Sequence, residues 1–116
     1  MTILNFGSLN IDHVYRVDTF VQPGETKHSK AYMINSGGKG LNQSIAAAKA
    51  GSLVFHAGLA GRDGGFLVEK LQAAGVNTSL MQASPEVSGH AIIQVADSGQ
   101  NSILLYGGTN QMLTEV

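Results

Sequence analysis

The sequence contains no cysteine and no tryptophan, only 2 prolines, and 13% charged residues. Without cysteine there is no disulfide framework and no thiolate metal site, which fits a reducing compartment, and the expected location is cytoplasmic. The 7 Lys+Arg against 8 Asp+Glu leave no basic stripe, which removes the electrostatic case for a nucleic-acid partner. No apolar run approaches the ~18 residues of a membrane span, so no membrane partner is expected. The four histidines are scattered without metal-ligand spacing, and no metal site is expected. The start, MTILNFGSLNID, lacks the basic n-region and long apolar core of a secretory signal. No G-x-S-x-G elbow supports a serine nucleophile.

What is present is apolar residues, 43% of the chain, which is too many for a disordered polymer, and 15 glycines in 116 residues, near twice the usual ~7%. The length is one domain's worth at most. The glycines fall in clusters between periodic runs. Residues 2–7 form a short apolar run that reads as a buried strand. Residues 13–21 and 26–35 read as half-exposed strands around a Pro-Gly turn at 22–25, with Lys27 and Lys30 on a solvated edge. The loop 36–40 leads to a helix over 41–50, closed by Gly51. A second buried strand over 52–59, a loop at 61–65, a helix over 66–74 closed by Gly75, and a short strand over 76–82 follow. Phe66, Leu67, Leu71 and Ala74 mark the second helix's inner face. Runs 88–96 and 101–106 flank a hairpin signal at 97–100. Two strand–helix–strand units predict parallel strands. The four other β runs read as a separate antiparallel sheet. Thr114 and Glu115 read as an N-cap and first-turn acid, so the chain is expected to stop where a helix begins.

Two loops carry chemistry. The cluster at 36–42 stands at a helix N-terminus, where free N–H groups and missing side chains suit hydroxyl or phosphate oxygens. A tight strand-to-helix turn needs the same glycines. The cluster is not a Walker A loop, since Gly40 follows Lys39 and Met33 stands where the first glycine belongs. It is not a dinucleotide fingerprint, since Gln43 replaces the third glycine. Asn10 and Asp12, two apart after the first strand, point the same way in an extended segment and can grip vicinal hydroxyls. Asp accepts, and Asn both donates and accepts. For an isolated N-x-D pair, an Asx turn or cap is the commoner reading. Asn42 could join the pair from across the cleft. Asp63 reads as a turn or cap residue.

The order of these features resembles the ribokinase-like (PfkB) carbohydrate kinases. The likeness lies in GSLNIDHV at 7–14, PGET at 23–26 and above all GGKGLNQSIAAAKAG at 37–51. AGLAGRD at 57–63, LQAAGV at 71–76 and GHAIIQVADSGQNSILLYGGTN at 89–110 continue it. The resemblance implies an α/β fold: a parallel sheet with helices on both faces and a small antiparallel β lid, formed by segments near 13–35 and 88–106. Residues 1–116 would be the N-terminal part, with the nucleotide-binding part absent and the chain truncated. It implies Asn10, Asp12, Gly38, Lys39, Gly40, Leu41 and Asn42 as sugar-binding residues, with Ile92 packing over the sugar. The catalytic Asp of a G-A-G-D-type loop would lie beyond residue 116. The reaction implied is transfer of the ATP γ-phosphoryl group to a sugar hydroxyl, on a ribose-like pentose by the spelling of the motifs. Mg2+ and a monovalent cation would assist, at residues outside this chain. The expected partners are a small-molecule sugar and a second copy, in a homodimer through the lid sheet. The alternatives are a catalytically inactive sugar-binding or subunit module, and a fructose- or nucleoside-type kinase of the same family. The loop after Asp63 is shorter than the family pattern.

Overall fold

The computed structural model describes residues 1–112. Thr114 and Glu115, read above as a helix start, lie outside the described residues. The elements run β1 Thr2–Phe6, β2 Asn10–Val17, β3 Ala31–Gly37, α1 Lys39–Lys49, β4 Leu53–Ala60, α2 Gly65–Ala73, β5 Met81–Ala83, β6 Gly89–Ala96 and β7 Asn101–Tyr106. A short 3-10 turn, Gly108–Gln111, closes them.

The body is a parallel three-stranded sheet in the order β1-β4-β5. β1 and β4 pair from Thr2↔Leu53 to Phe6↔Ala57, and β4 meets β5 only over Gly58–Ala60. Strand alternation turns Ile3, Asn5, Val54 and His56 to one face. There the core closes on Leu9, Ile11, Leu41, Val54, Leu67, Leu71 and Val76. Burying each such side chain contributes roughly 1.5–3 kcal/mol. The two crossovers step the same way along the sheet, β1 to β4 to β5. Crossovers of one hand then put both helices on the same side. Helices on both faces were implied. Among the described residues α1 and α2 share one face, and the other exposes Leu4 at 64% and Phe6 at 63%. Each helix ends in a pair of reverse hydrogen bonds around its following glycine, Ser52 N–H to Ala47 O (3.2 Å) and Val76 N–H to Leu71 O (3.0 Å). No helix among the described residues is long and apolar enough to cross a membrane.

The second sheet has the order β3-β2-β6-β7. Its outer pairs, β2–β3 and β6–β7, are antiparallel as expected, but its central pair, β2–β6, is parallel, from Asn10↔Gly89 to Val17↔Ala96. The lid is therefore mixed. Two antiparallel hairpins meet along a parallel seam, because α1, β4, α2 and β5 intervene between them and return the chain to the same edge. The expected strand over 26–35 starts only at Ala31. Residues 18–30 form a connection pinned by Lys27, whose Nζ reaches Asp18 Oδ1 (2.9 Å) and Thr19 Oγ1 (2.7 Å), and by Lys30 on Asp97 (2.7 Å). These lysines tie loops rather than line a strand edge.

Candidate functional site

Asn10 and Asp12 do not follow β1 in a loop. They open β2, at the junction of body and lid, with both side chains on one face. Gly37 lies opposite Asn10 across the β2–β3 pair. The Asp12 carboxylate fills the space above Gly37, where a Cβ would come within 2.8 Å of Cγ and Oδ1. A side chain at 37 would displace the carboxylate.

Next to it begins α1. Gly38 has φ +96°, open to glycine and strained for other residues, and a Cβ there would meet Ser8 O at 2.7 Å. Gly40 lies against the Gly7–Ser8 peptide, with its missing Cβ 2.5 Å from Gly7 C and Ser8 N. Leu41 N–H bonds Ser8 O (3.0 Å). Gly38 and Gly40 let the start of α1 lie directly on the β1–β2 link, so a ligand at Asp12 also faces the positive end of a helix.

Burial holds the Asp12 carboxyl above its ordinary value, with His13 pulling weakly the other way. Among the described residues this carboxylate accepts no hydrogen bond, so it is a free acceptor at a half-buried position. Asn10 is held differently. Asn110 Nδ2 donates to Asn10 Oδ1 (2.7 Å) and to Leu9 O (3.0 Å), and Asn110 Oδ1 accepts from Leu9 N–H (2.9 Å).

Of the expected sugar-binding residues, the structure brings together Asn10, Asp12, Gly38 and Gly40. Lys39 and Asn42 sit on the first turn of α1 with exposed side chains. Leu41 is wholly buried, and its N–H is taken by Ser8 O. It supports the loop from the core, and its side chain cannot reach a ligand. Ile92 is also placed otherwise than expected. The seam pairs Asp12 with Ala91 and His13 with Ile92, so Ile92 shares the His13 face and Ala91 and Ile93 share that of Asp12.

Behind the loop lies a polar network that sequence reasoning missed. His56, fully buried, bonds Ser44 Oγ through Nδ1 (2.6 Å) and Gly7 O through Nε2 (3.2 Å). A carbonyl only accepts, so Nε2 carries the proton and Nδ1 accepts from the Ser44 hydroxyl. Ser44 in turn accepts from Asn5 Nδ2 (2.9 Å), which also donates to Gly40 O (2.8 Å). Burial lowers the pKa of His56, with the Gly7 bond opposing it, and the neutral ring is the form this network needs. Asp63, expected as a turn residue, accepts from Ser88 N–H (2.8 Å), while Ser88 Oγ accepts from Gly61 N–H (2.7 Å). Burial works against the Asp63 carboxylate, but the bonds from Ser88 outweigh it and its pKa is lowered. This clasp ties the end of β4 to the start of β6. Asn110 was visible only as the end of a glycine cluster, because its partners lie 100 or more residues earlier.

An α/β layer with both helices on one face, joined to a four-stranded mixed β lid, defines the class: the ribokinase-like fold. The chain belongs to the pfkB family of carbohydrate kinases, whose family model matches residues 2–116. It is 41% identical over 118 residues to a ribokinase of Haemophilus influenzae, covering 99% of this chain and 39% of that protein. A Staphylococcus aureus ribokinase is 37% identical, covering 97% of this chain and 38% of that protein. Among solved structures, a ribokinase from Cryptococcus neoformans in complex with ADP superposes with TM-score 0.87 at 43% identity, covering 94% of this chain and 35% of that one. Arabidopsis thaliana ribokinase complexed with ribose and ATP gives TM-score 0.85 at 32% identity, covering 92% and 36%. The chain thus spans under two-fifths of the length of these relatives.

Proposed function

We propose that the whole protein is a sugar kinase that transfers the ATP γ-phosphoryl group to a hydroxyl of a ribose-like pentose, and that this chain carries its sugar-binding half. The observation that carries this reading is the unpartnered Asp12 carboxylate over Gly37, beside Asn10 and the start of α1. A carboxylate with free lone pairs and a neighbouring carboxamide match the donors and acceptors of vicinal hydroxyls. The names of the ribokinase relatives support the pentose.

The described residues suit a sugar and not a polyphosphate. The α1 N-terminus, the one glycine-rich helix start of the motif, is faced by the Asp12 carboxylate, which repels phosphate. No group of three or more His, Asp or Glu that could hold a metal occurs among the described residues. ATP and Mg2+, with a monovalent cation, would supply the transferable phosphoryl group and its charge neutralisation from elsewhere in the whole protein, as would the catalytic Asp. The task of this half is to bind and orient. Asp12 fixes the sugar by accepting from its hydroxyls, the helix end adds a positive field, and the lid face bearing Ala91 and Ile93 excludes water from the sugar. A homodimer through the lid belongs to the same proposal. Tyr32, Ile34, Leu104 and Tyr106, on the lid's opposite face, are each 48% exposed or more.

Asp12→Ala in the protein expressed from its complete reading frame is expected to weaken sugar binding by two or more kcal/mol, about 30-fold, read by isothermal titration and steady-state kinetics. Unchanged KM and kcat would remove Asp12 from the site. Sugar binding by the unaltered protein without any ATP turnover would favour an inactive binding module.

A further inference from the structure

The hydrogen bonds around Asn110 have only one consistent direction. Leu9 N–H can only donate, so the Asn110 atom facing it, 2.9 Å away, is the oxygen. The other amide atom is then the nitrogen, which suits Leu9 O at 3.0 Å, since a carbonyl can only accept. That same nitrogen stands 2.7 Å from Asn10, so Asn10 presents its oxygen to Asn110. The Asn10 NH2 group is therefore turned away from Asn110, and it has no partner among the described residues. The arrangement is tightly enclosed. A Cβ on Gly89 would collide with Asn110 Nδ2 and lie 2.7 Å from Asn10 Oδ1. Thr109 N–H bonds Val87 O (3.1 Å), which fixes the turn that carries Asn110.

We propose that Asn110 is a positioning residue that sets the polarity of the sugar site: it holds the Asn10 oxygen toward itself, so that Asn10 presents its NH2 as a donor beside Asp12, an acceptor. The proposal rests on the sugar-site reading above. A sugar would meet one donor and one acceptor in fixed order along β2, a pattern that a freely rotating Asn10 could not impose. Reversing Asn10 would place two acceptors side by side and leave no side-chain donor there for a hydroxyl oxygen.

The test uses two near-isosteric variants of the protein expressed from its complete reading frame. Asn110→Asp keeps an acceptor for Leu9 N–H but turns an oxygen toward Asn10, forcing its NH2 inward and its oxygen toward the sugar. Asn10→Asp makes the same donor-to-acceptor change directly, with the Asn110 contacts retained. Both are expected to raise the ribose Kd about 10- to 100-fold, with ATP KM unchanged. Across a panel of monodeoxyriboses both should lose discrimination at the same single hydroxyl. Non-additivity is read in a cycle of Asn10→Asp, Asn110→Ser and their double variant, which avoids two carboxylates facing each other across the 2.7 Å contact: the double should be no worse for ribose than Asn10→Asp alone, whereas a purely structural role would add the two losses. If Asn10→Asp weakens ribose binding while Asn110→Asp binds ribose as the unaltered protein does, or loses discrimination at a different hydroxyl, the proposal fails and the sugar-site reading stands. If Asn10→Asp itself leaves ribose binding unchanged, the sugar-site reading fails at Asn10, and the proposal with it. Should Asn110→Asp not fold, the Asn110→Ser cycle carries the test by itself. Additive losses would overturn the proposal.

Discussion

Gly40→Ala isolates the close approach on which the site is built. The new Cβ would lie 2.5 Å from Gly7 C and Ser8 N, where ordinary contact starts at 3.4 Å, so α1 must withdraw by about 0.9 Å. The obstructing atoms are backbone, and no rotamer relieves them. Overpacking of this kind costs about 1–3 kcal/mol. The withdrawal also stretches Leu41 N–H to Ser8 O and Asn5 Nδ2 to Gly40 O, each bond contributing about 1 kcal/mol. Alanine returns about 1 kcal/mol through helix propensity. The net expectation is a loss of about 2–4 kcal/mol, from overpacking and weakened bonds less the propensity gain. Gly65→Ala is the matched control. Gly65 also opens a helix, but nothing stands within 4 Å of its missing Cβ, so the substitution should raise stability by up to about 1 kcal/mol. Urea unfolding of both variants, expressed from the complete reading frame, reads the difference as a shift in midpoint at constant slope. The sugar KM should rise for Gly40→Ala only. Equal midpoints for the two variants would refute the argument that the α1 start and the β1–β2 link touch through their backbones.

Two further outcomes are expected. Because the folded pKa of His56 lies below the ordinary 6.5, the unfolded chain binds a proton that the folded chain refuses. Its contribution is complete above about pH 6.5, falls by up to about 1.4 kcal/mol per unit as pH drops below that, and levels off at the lowered folded pKa. His56→Gln should flatten this part of the stability profile, and an unaltered slope just below about pH 6.5 would contradict a neutral buried ring. Asp63→Ala leaves the N–H of the fully buried Ser88 unpaired and should cost about 1–2 kcal/mol in thermal or urea unfolding, with Asp63→Asn recovering much of it. Equal losses for the two would mean that the hydrogen bond is not what Asp63 supplies.

The parts of the fold that rest on local signals were legible. The hairpin at 97–100 marked β7 residue for residue, and the helices were placed within two residues at each end because a glycine closes each one. The glycine-lysine-glycine stretch and the Asn10/Asp12 pair were visible as types and spacings. What was not legible depends on pairing between distant segments. Parallel pairing of β2 with β6 leaves no local trace, since both strands also have antiparallel neighbours that account for their alternation. Ile92 was assigned to the sugar face because a strand's two faces cannot be told apart until its register is known. Leu41 was taken as a ligand from its place in a motif, although an apolar residue at that point of a helix start also reads as core. Asn110, His56 and Ser44 act through partners found only in three dimensions.

The parallel seam also governs the order in which the molecule assembles. Each lid hairpin joins strands near in sequence and can form early. The seam pairs Asn10 with Gly89, so its closure costs more chain entropy than either hairpin, and folding of the α1–β4–α2–β5 segment between them is expected to bring β6 alongside β2. Asn10 and Asp12 stand at the first rungs of that seam, and Asn110 joins them from beyond β7. Asn10, Asp12 and Gly37 share the first hairpin, but the Asn110 clamp and the face of Ala91 and Ile93 reach them only across the seam. A chain with both hairpins formed but the seam open would hold Asp12 without the clamp on Asn10 or the covering face, so ligand affinity is expected to report closure of the seam.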